Sequence, residues 1–194
     1  LSARGIHTIA ANYAGSSVLA AATSNTAFVN VYQPTNLDVT PASGIAGAPI
    51  PITASLHTVP GGSPVVGQTV NFAFGGVIGP LSALTDATGV ATVMATFPNA
   101  GSFTTTTTFL NVAGFFADDG GNLVAETDNA AVTVGHAATS LSLTAPAAGL
   151  VSDPLTFSAV LARTDAPTGP VSGASVNFQL TSPSGLTILT GTTN

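Results

Sequence analysis

The stretch PVVGQTVNF at residues 64–72 returns, little altered, as PVSGASVNF at residues 170–178. Working outward from it, NLDVTPASGIAGAPIPITASL (36–56) aligns with SLSLTAPAAGLVSDPLTFSAVL (140–161), with one residue of slack. A second alignment joins the start of the chain to its middle. GIHTIAANY (5–13) matches GSFTTTTTF (101–109), placing Gly5 on Gly101, Thr8 on Thr104 and Tyr13 on Phe109, and SNTAFVNV (24–31) matches TDNAAVTV (127–134). The offset grows by seven residues between these two blocks, which a longer loop around DDGGN (118–122) absorbs. Self-similarity at a fixed spacing marks a repeat architecture. Residues 1–33 therefore read as the closing strands of a first domain, residues 34–136 as a complete domain, and residues 137–194 as the opening strands of a third.

The local pattern is that of strands. TVNFAF (69–74), GVATVMATF (89–97), SFTTTTTFL (102–110), NAAVTV (129–134), SLSLTA (140–145) and LTFSAVLA (155–162) alternate with period two. PGGSP (60–64), TDATG (85–89), DDGGN and DAPTGP (165–170) separate them, supplying the backbone angles of turns. In the first strand Val70, Phe72 and Phe74 share one face; in the second Val93, Ala95 and Phe97 do. Short strands at regular spacing predict β-sandwiches. The Ala-rich VLAAATS (18–24) is the one place where a helical turn is expected.

Composition excludes several functions. The 194 residues carry two basic and eight acidic side chains, a formal charge of −6, so the blocks of Lys and Arg that neutralise nucleic-acid phosphates or an anionic membrane are missing. Mean hydropathy is +0.51, yet no apolar run approaches the roughly 20 residues of a spanning helix. There is no Cys, so neither disulfides nor thiolate metal sites hold the fold. Only 5% of residues are charged, against about 25% in ordinary soluble domains. Such a surface, wetted by Thr, Ser, Asn and backbone, suits an extracellular and polymeric protein. The opening LSARGIHTIAANY has no n-region and h-region pattern, and is expected to be an internal or processed segment.

TPASGIAGAPIPITASL, PVVGQTVNF, TDATGVATV and GSFT together resemble the bacterial immunoglobulin-like repeats of large surface adhesins and of invasin/intimin-like proteins. LSARGIHTIAANYAG and SNTAFVNV are similar to the closing half of the same repeats. The resemblance implies an all-β class: tandem immunoglobulin-like Greek-key β-sandwiches of seven to nine strands, one complete and two partial. It also implies cell-surface or secreted display of a bacterial type.

Chemistry-bearing motifs are sparse. Asp86 in TDATG lacks the Thr directly after Asp, and the partner motif, that an aspartic-protease loop requires; a turn is expected. Asp118, Asp119 and Asn122, with Glu126 or Asp128 beside them, are a calcium candidate, since that cation takes six to eight oxygens, although their spacing departs from an EF-hand. A solvated hairpin loop is the alternative. His7, His57 and His136 stand alone, and neither a zinc pattern, a Gly-x-Ser-x-Gly elbow nor a phosphate loop occurs. The outward hydroxyls of TTTTT (104–108) are either glycan acceptors or a strand ladder. Phe115 and Phe116 are binding candidates, because adjacent residues of an extended segment point to opposite faces; a core plug is the competing expectation.

A partial domain exposes core-facing residues. In the tail these are Leu141, Leu143, Phe157, Val176 and Phe178; in residues 1–33, Ile6, Ile9, Tyr13, Val29 and Val31 offer what the tail lacks. Either the chain is an excerpt of a longer tandem array, or one copy completes the next head to tail by strand addition. In both cases the partners are further copies of the same repeat. The short linkers VYQPTN (31–36) and VGHAATS (134–140) favour a semi-rigid rod. The expected function is thus a non-catalytic extracellular structural repeat in an adhesin stalk or fibre. A ligand- or glycan-binding module, or an accessory domain of a secreted polysaccharide-degrading enzyme, is the alternative.

Overall fold

The computed structural model describes residues 3–110, 114–121 and 123–194. The described residues are all-β, with no α-helix among them and no helix long and apolar enough to cross a membrane. In chain order, the first strands are β1 (Gly5–Ile9), β2 (Asn12–Tyr13), β3 (Ala22–Thr23) and β4 (Ala27–Val31). There follow β5 (Gln33–Val39), β6 (Ala42–Ile45), β7 (Pro49–Thr58), β8 (Thr69–Ala73), β9 (Leu81–Leu84), β10 (Val90–Thr96), β11 (Gly101–Phe109), β12 (Phe116–Ala117) and β13 (Glu126–Gly135). The last are β14 (Thr139–Thr144), β15 (Ser158–Arg163), β16 (Gly169–Pro170), β17 (Ser175–Ser182) and β18 (Gly185–Thr192). The Ala-rich stretch expected to hide a helical turn instead runs through a bend into β3, where Ser16 Oγ accepts from the N–H groups of Val18 and Leu19.

Strands β5 to β13 form two sheets, one in the order β10-β7-β5-β12 and the other in the order β6-β13-β11-β8-β9. Their inward faces meet in a single core. Ile50, Ile52, Ala54 and Leu56 of β7, and Ala91, Val93 and Ala95 of β10, are buried against Val70 and Phe72 of β8, Phe109 of β11 and Val132 and Val134 of β13. The alternation of these strands explains why: each buries every second residue, and the intervening Thr92, Met94, Thr96, Ala131 and Thr133 are exposed. Phe97 is the keystone at one end, edge-on to Phe74 and stacked on Phe103 at 4.8 Å between centroids. The chain changes sheet between β5 and β6 at Thr40 and Pro41, after which β6 pairs in parallel with β13. Proline, which has no N–H to give a ladder, suits such a crossing.

The TDATG turn behaves as expected. Asp86 Oδ1 accepts from the N–H and hydroxyl of Thr88 and from the N–H of Val90, and these bonds hold its carboxyl below the usual aspartate range. Gly89 closes the turn at φ +80°, with the backbone oxygen of Leu56 where a Cβ would lie, so no other residue fits.

The flanking segments repeat these pairings. Gly5 faces Val31 across β1 and β4 as Gly101 faces Val134 across β11 and β13. Likewise β14 pairs with β15 as β5 pairs with β7, and β17 with β18 as β8 with β9. Leu37 is 3% and Val39 8% exposed in the middle of the chain, whereas their counterparts Leu141 and Leu143 are 57% and 65% exposed. One sequence reading needs correction here. Ile6 shares its face with Thr8 and not with Ile9 and Tyr13, because three residues of strand reverse the parity; the face equivalent to the buried side of β11 carries His7, Ile9 and Tyr13.

The Thr run is split between two environments. Thr104, Thr106 and Thr108 face outward, and Thr106 Oγ1 donates to Asn129 Oδ1; Thr105 and Thr107 are fully buried. Thr107 donates to the carbonyl of Asp128, while the Thr105 hydroxyl has no partner among the described residues. Thr105→Val is therefore expected to raise the unfolding free energy by about 1 kcal/mol, because it removes an orphaned hydroxyl at constant shape. Phe97→Ala should cost about 3–5 kcal/mol. Denaturant midpoints at constant m-value check both.

Candidate functional site

The functional candidates converge on one end of the central sandwich, where β12 lies beside the start of β5. Phe116 pairs with Gln33 and Ala117 with Pro34 in parallel register. Beside it a polar depression opens between Asn36 and Asp38 of β5, Asp118 and Asp119 after β12, and Glu126 and Asp128 of β13. Five of the eight acidic residues of the chain stand around it.

Two of these carboxylates serve the backbone. β5 is bonded to β7 along one edge, and beyond Pro34 its other edge has no strand among the described residues. The N–H groups of Leu37 and Val39 point out from that edge. Leu37 N–H donates to Glu126 Oε1 at 2.6 Å, and Val39 N–H to Asp128 Oδ2 at 2.7 Å. Both acids belong to β13 of the opposite sheet, at alternate positions. A pair of carboxylates thus stands in for the missing strand and ties the two layers together.

Glu126 is only 9% exposed. Burial pushes its carboxyl above the usual glutamate range; the bonds from Leu37 and Thr35 oppose that shift, and the charges of Asp119 and Asp118 reinforce it. Thr35 Oγ1 lies 2.9 Å from the Ala117 carbonyl and 3.0 Å from Glu126 Oε2. A hydroxyl has one proton to give. The Ala117 carbonyl and the Glu126 carboxyl therefore compete for it, which fixes Thr35 between them.

The other candidates divide. Phe116 is fully buried, with its ring 5.6 Å from that of Phe109, and the Arg4 guanidinium sits over its other side, 3.8 Å from the ring centroid. Its surface is spent on packing. Phe115, at φ 58°, turns away, is half-buried, and lies 5.7 Å from the Tyr32 ring. The backbone between them is left-handed at Phe115 and not extended, so the alternation of an extended segment does not apply. Asp118 and Asp119 are brought to the depression; Asn122, the third member of the calcium set, lies outside the described residues. Among the described residues no group of three His, Asp or Glu side chains gathers its donors for a metal ion. His7, His57 and His136 are on separate elements.

At the opposite end Arg163 holds the 163–166 turn. It pairs with Asp165 Oδ1 at 2.5 Å, while Asp165 Oδ2 accepts from Ala138 N–H at 2.9 Å. These contacts hold the Asp165 carboxyl below its usual range, the Ala138 bond most of all. The same guanidinium lies against Gly47, with its Nη1 2.7 Å from where a Cβ would stand. Arg4 and Arg163 are the only basic residues in the chain besides its histidines, and each reaches from a flanking segment onto the central sandwich.

This arrangement is one of cross-bracing. No known protein family's profile matches the chain, and no curated protein does. Among solved structures, it is similar to a tetra-tandem repeat in the extending region of a large adhesion protein, at 17% identity and a TM-score of 0.42 over 98% of this chain and 45% of that one. It is also similar to the CARDB domain of a Pyrococcus furiosus protein solved in complex with di-metal ions, at 13% identity and TM-score 0.33, over 53% of this chain and 94% of that one. A Salmonella alpha-2-macroglobulin mutant matches at 14% identity and TM-score 0.34, over 98% of this chain and 15% of that one. The chain spans less than half the length of the adhesion-protein structure.

Two substitutions test the brace. Glu126→Ala should cost about 1–3 kcal/mol, since it strands the N–H of Leu37. Glu126→Gln keeps an acceptor for Leu37 and removes the buried ionisable group, so it should lose less stability than Glu126→Ala. With a raised folded pKa, the native state holds the Glu126 proton to higher pH than the unfolded state. The contribution is then fully present below the unfolded glutamate value, near 4.5, and is lost as pH rises through the higher folded value. That loss should vanish from the stability profile of Glu126→Gln. Separately, Phe116→Ala should cost about 3–5 kcal/mol and Phe115→Ala much less, by thermal or denaturant unfolding.

Proposed function

We propose that this chain is a non-catalytic structural repeat, part of an extracellular rod or fibre of the adhesin-stalk kind, built by stacking immunoglobulin-like Greek-key sandwiches end to end. In this reading residues 34–136 are one whole domain, residues 1–33 are the closing strands of a preceding one, and residues 137–194 are the opening strands of the next. The observation that carries the reading is the repeated pairing. Flanking segments reproduce the register of the central strands, yet leave exposed the faces that the centre buries.

Several features support it. Thr, Ser and Asn wet the surface in place of charge, which leaves little electrostatic protection against self-association. Both junctions are short and carry a guanidinium laid on the neighbouring unit, which restrains swinging. The acidic end serves to close a sheet edge, and no pair of groups there is set up to shuttle protons to a substrate.

Small-angle scattering and electron microscopy of the native material test this. The expected particle is a rod one sandwich wide with an axial repeat of roughly 35–45 Å, set by strands of about ten residues rising 3.3–3.4 Å each. A compact particle without such a repeat overturns the reading.

A further inference from the structure

Seven of the eight acidic residues are aspartates, and one of them, Asp119, precedes a glycine; no asparagine does. A backbone N–H can attack the carboxyl of the side chain before it. What limits the approach is the side chain on the residue that carries the N–H, and Gly120 has none. After the other aspartates stand Val39, Ala87, Asp119, Asn129 and Ala166, and Pro154 after Asp153 has no N–H to offer.

The fold sets this pair apart a second time. Past the end of β12 the N–H of Gly121 donates to the carbonyl of Asp118 at 2.9 Å. Asp119 and Gly120 form the corner of that turn, and both are exposed. Among the described residues the Asp119 carboxyl accepts no hydrogen bond and the Gly120 N–H donates none. Other aspartates are tied down: Asp38 by Asn36, Asp86 by Thr88 and Val90, Asp128 by the N–H of Val39, and Asp165 by Arg163 and Ala138. A carboxyl held by a donor must give up that bond before it meets its neighbouring amide. Asp119 has none to give up.

We infer that Asp119 is a site of spontaneous backbone isomerisation by way of a succinimide. The Gly120 nitrogen bonds to Asp119 Cγ, the Cγ–OH bond breaks, and the hydroxyl leaves with the amide proton as water. Water then reopens the ring. Addition at Cγ restores aspartate, whereas addition at the main-chain carbonyl carbon of Asp119 leaves the chain running through Cβ, as isoaspartate. The water lost is regained, so mass is unchanged and nothing is oxidised or reduced. The product adds a methylene to the main chain between β12 and β13 and leaves the carboxylate directly on Cα, beside the acidic depression that Asp119 lines.

To test this, the chain is held folded in neutral buffer, sampled over weeks and digested. Electron-transfer mass spectrometry of the fragments separates isoaspartate from aspartate at equal mass. Methyl transfer from S-adenosylmethionine by an isoaspartyl methyltransferase counts the product independently. Relative to a fresh sample digested in the same way, isoaspartate at position 119 should grow to roughly 10-fold or more above that at any other aspartate, since glycine offers the least hindrance. Gly120→Val should lower it by roughly 10-fold, because a branched side chain blocks the approach. Asp119→Glu, at an exposed position and with a side chain that closes such a ring far more slowly, should remove the growth in methyl acceptance; circular dichroism verifies that each variant is folded. Isoaspartate spread evenly over the aspartates overturns the assignment. So does methyl transfer undiminished in Asp119→Glu, or isoaspartate at 119 that forms in urea and not in the folded chain.

Discussion

A sheet with one apolar face is stable only when something covers that face, and the middle of this chain meets the requirement twice over. β7 and β10 present one alternating set, β8, β11 and β13 the other, and Phe72, Phe97, Phe109 and Ile52 fill the space between them. Burial on this scale contributes about 1.5–3 kcal/mol for each large side chain, which lets a domain of about one hundred residues fold without disulfides. The flanking strands carry the same alternation, and among the described residues Leu141, Leu143, Ile9 and Tyr13 on them are exposed.

The second requirement concerns hydrogen bonds. β5 stays paired with β7, but its pairing with β12 ends at Pro34, past which its outer edge would display unanswered N–H groups. Glu126 and Asp128 reach across from the facing sheet to accept them. This explains why a chain so poor in charge retains acids at two alternate positions of β13. The buried oxygens of Glu126 are thus engaged by the fold itself. The cost is a buried carboxyl, offset by the bonds it accepts from Leu37 and Thr35.

Much of this was legible in the sequence. The repeated PVxGxxVNF phrase located β8 and β17, and period two assigned the inward residues of β8 and β10. The Gly5–Gly101 alignment anticipated the register of β1 on β4. Other features were not legible. The helical expectation for residues 18–24 came from alanine propensity, which local capping by Ser16 and pairing of β3 override. β18 escaped because GLTILTGT alternates weakly. The role of Glu126 was hidden because sequence gives no sign that a carboxylate will meet a backbone edge from a facing sheet 89 residues away. Phe115 and Phe116 could be ranked only once the left-handed turn at Phe115 and the cover of Arg4 were seen.

The placement of the two arginines has a mechanical corollary. With the two arginines laid on opposite ends of the central sandwich and five of the eight acids crowded at one of them, the apolar interior between is electrically almost silent. Dissolved ions are therefore expected to act first on the Arg4 and Arg163 contacts and far less on the packing between the sheets.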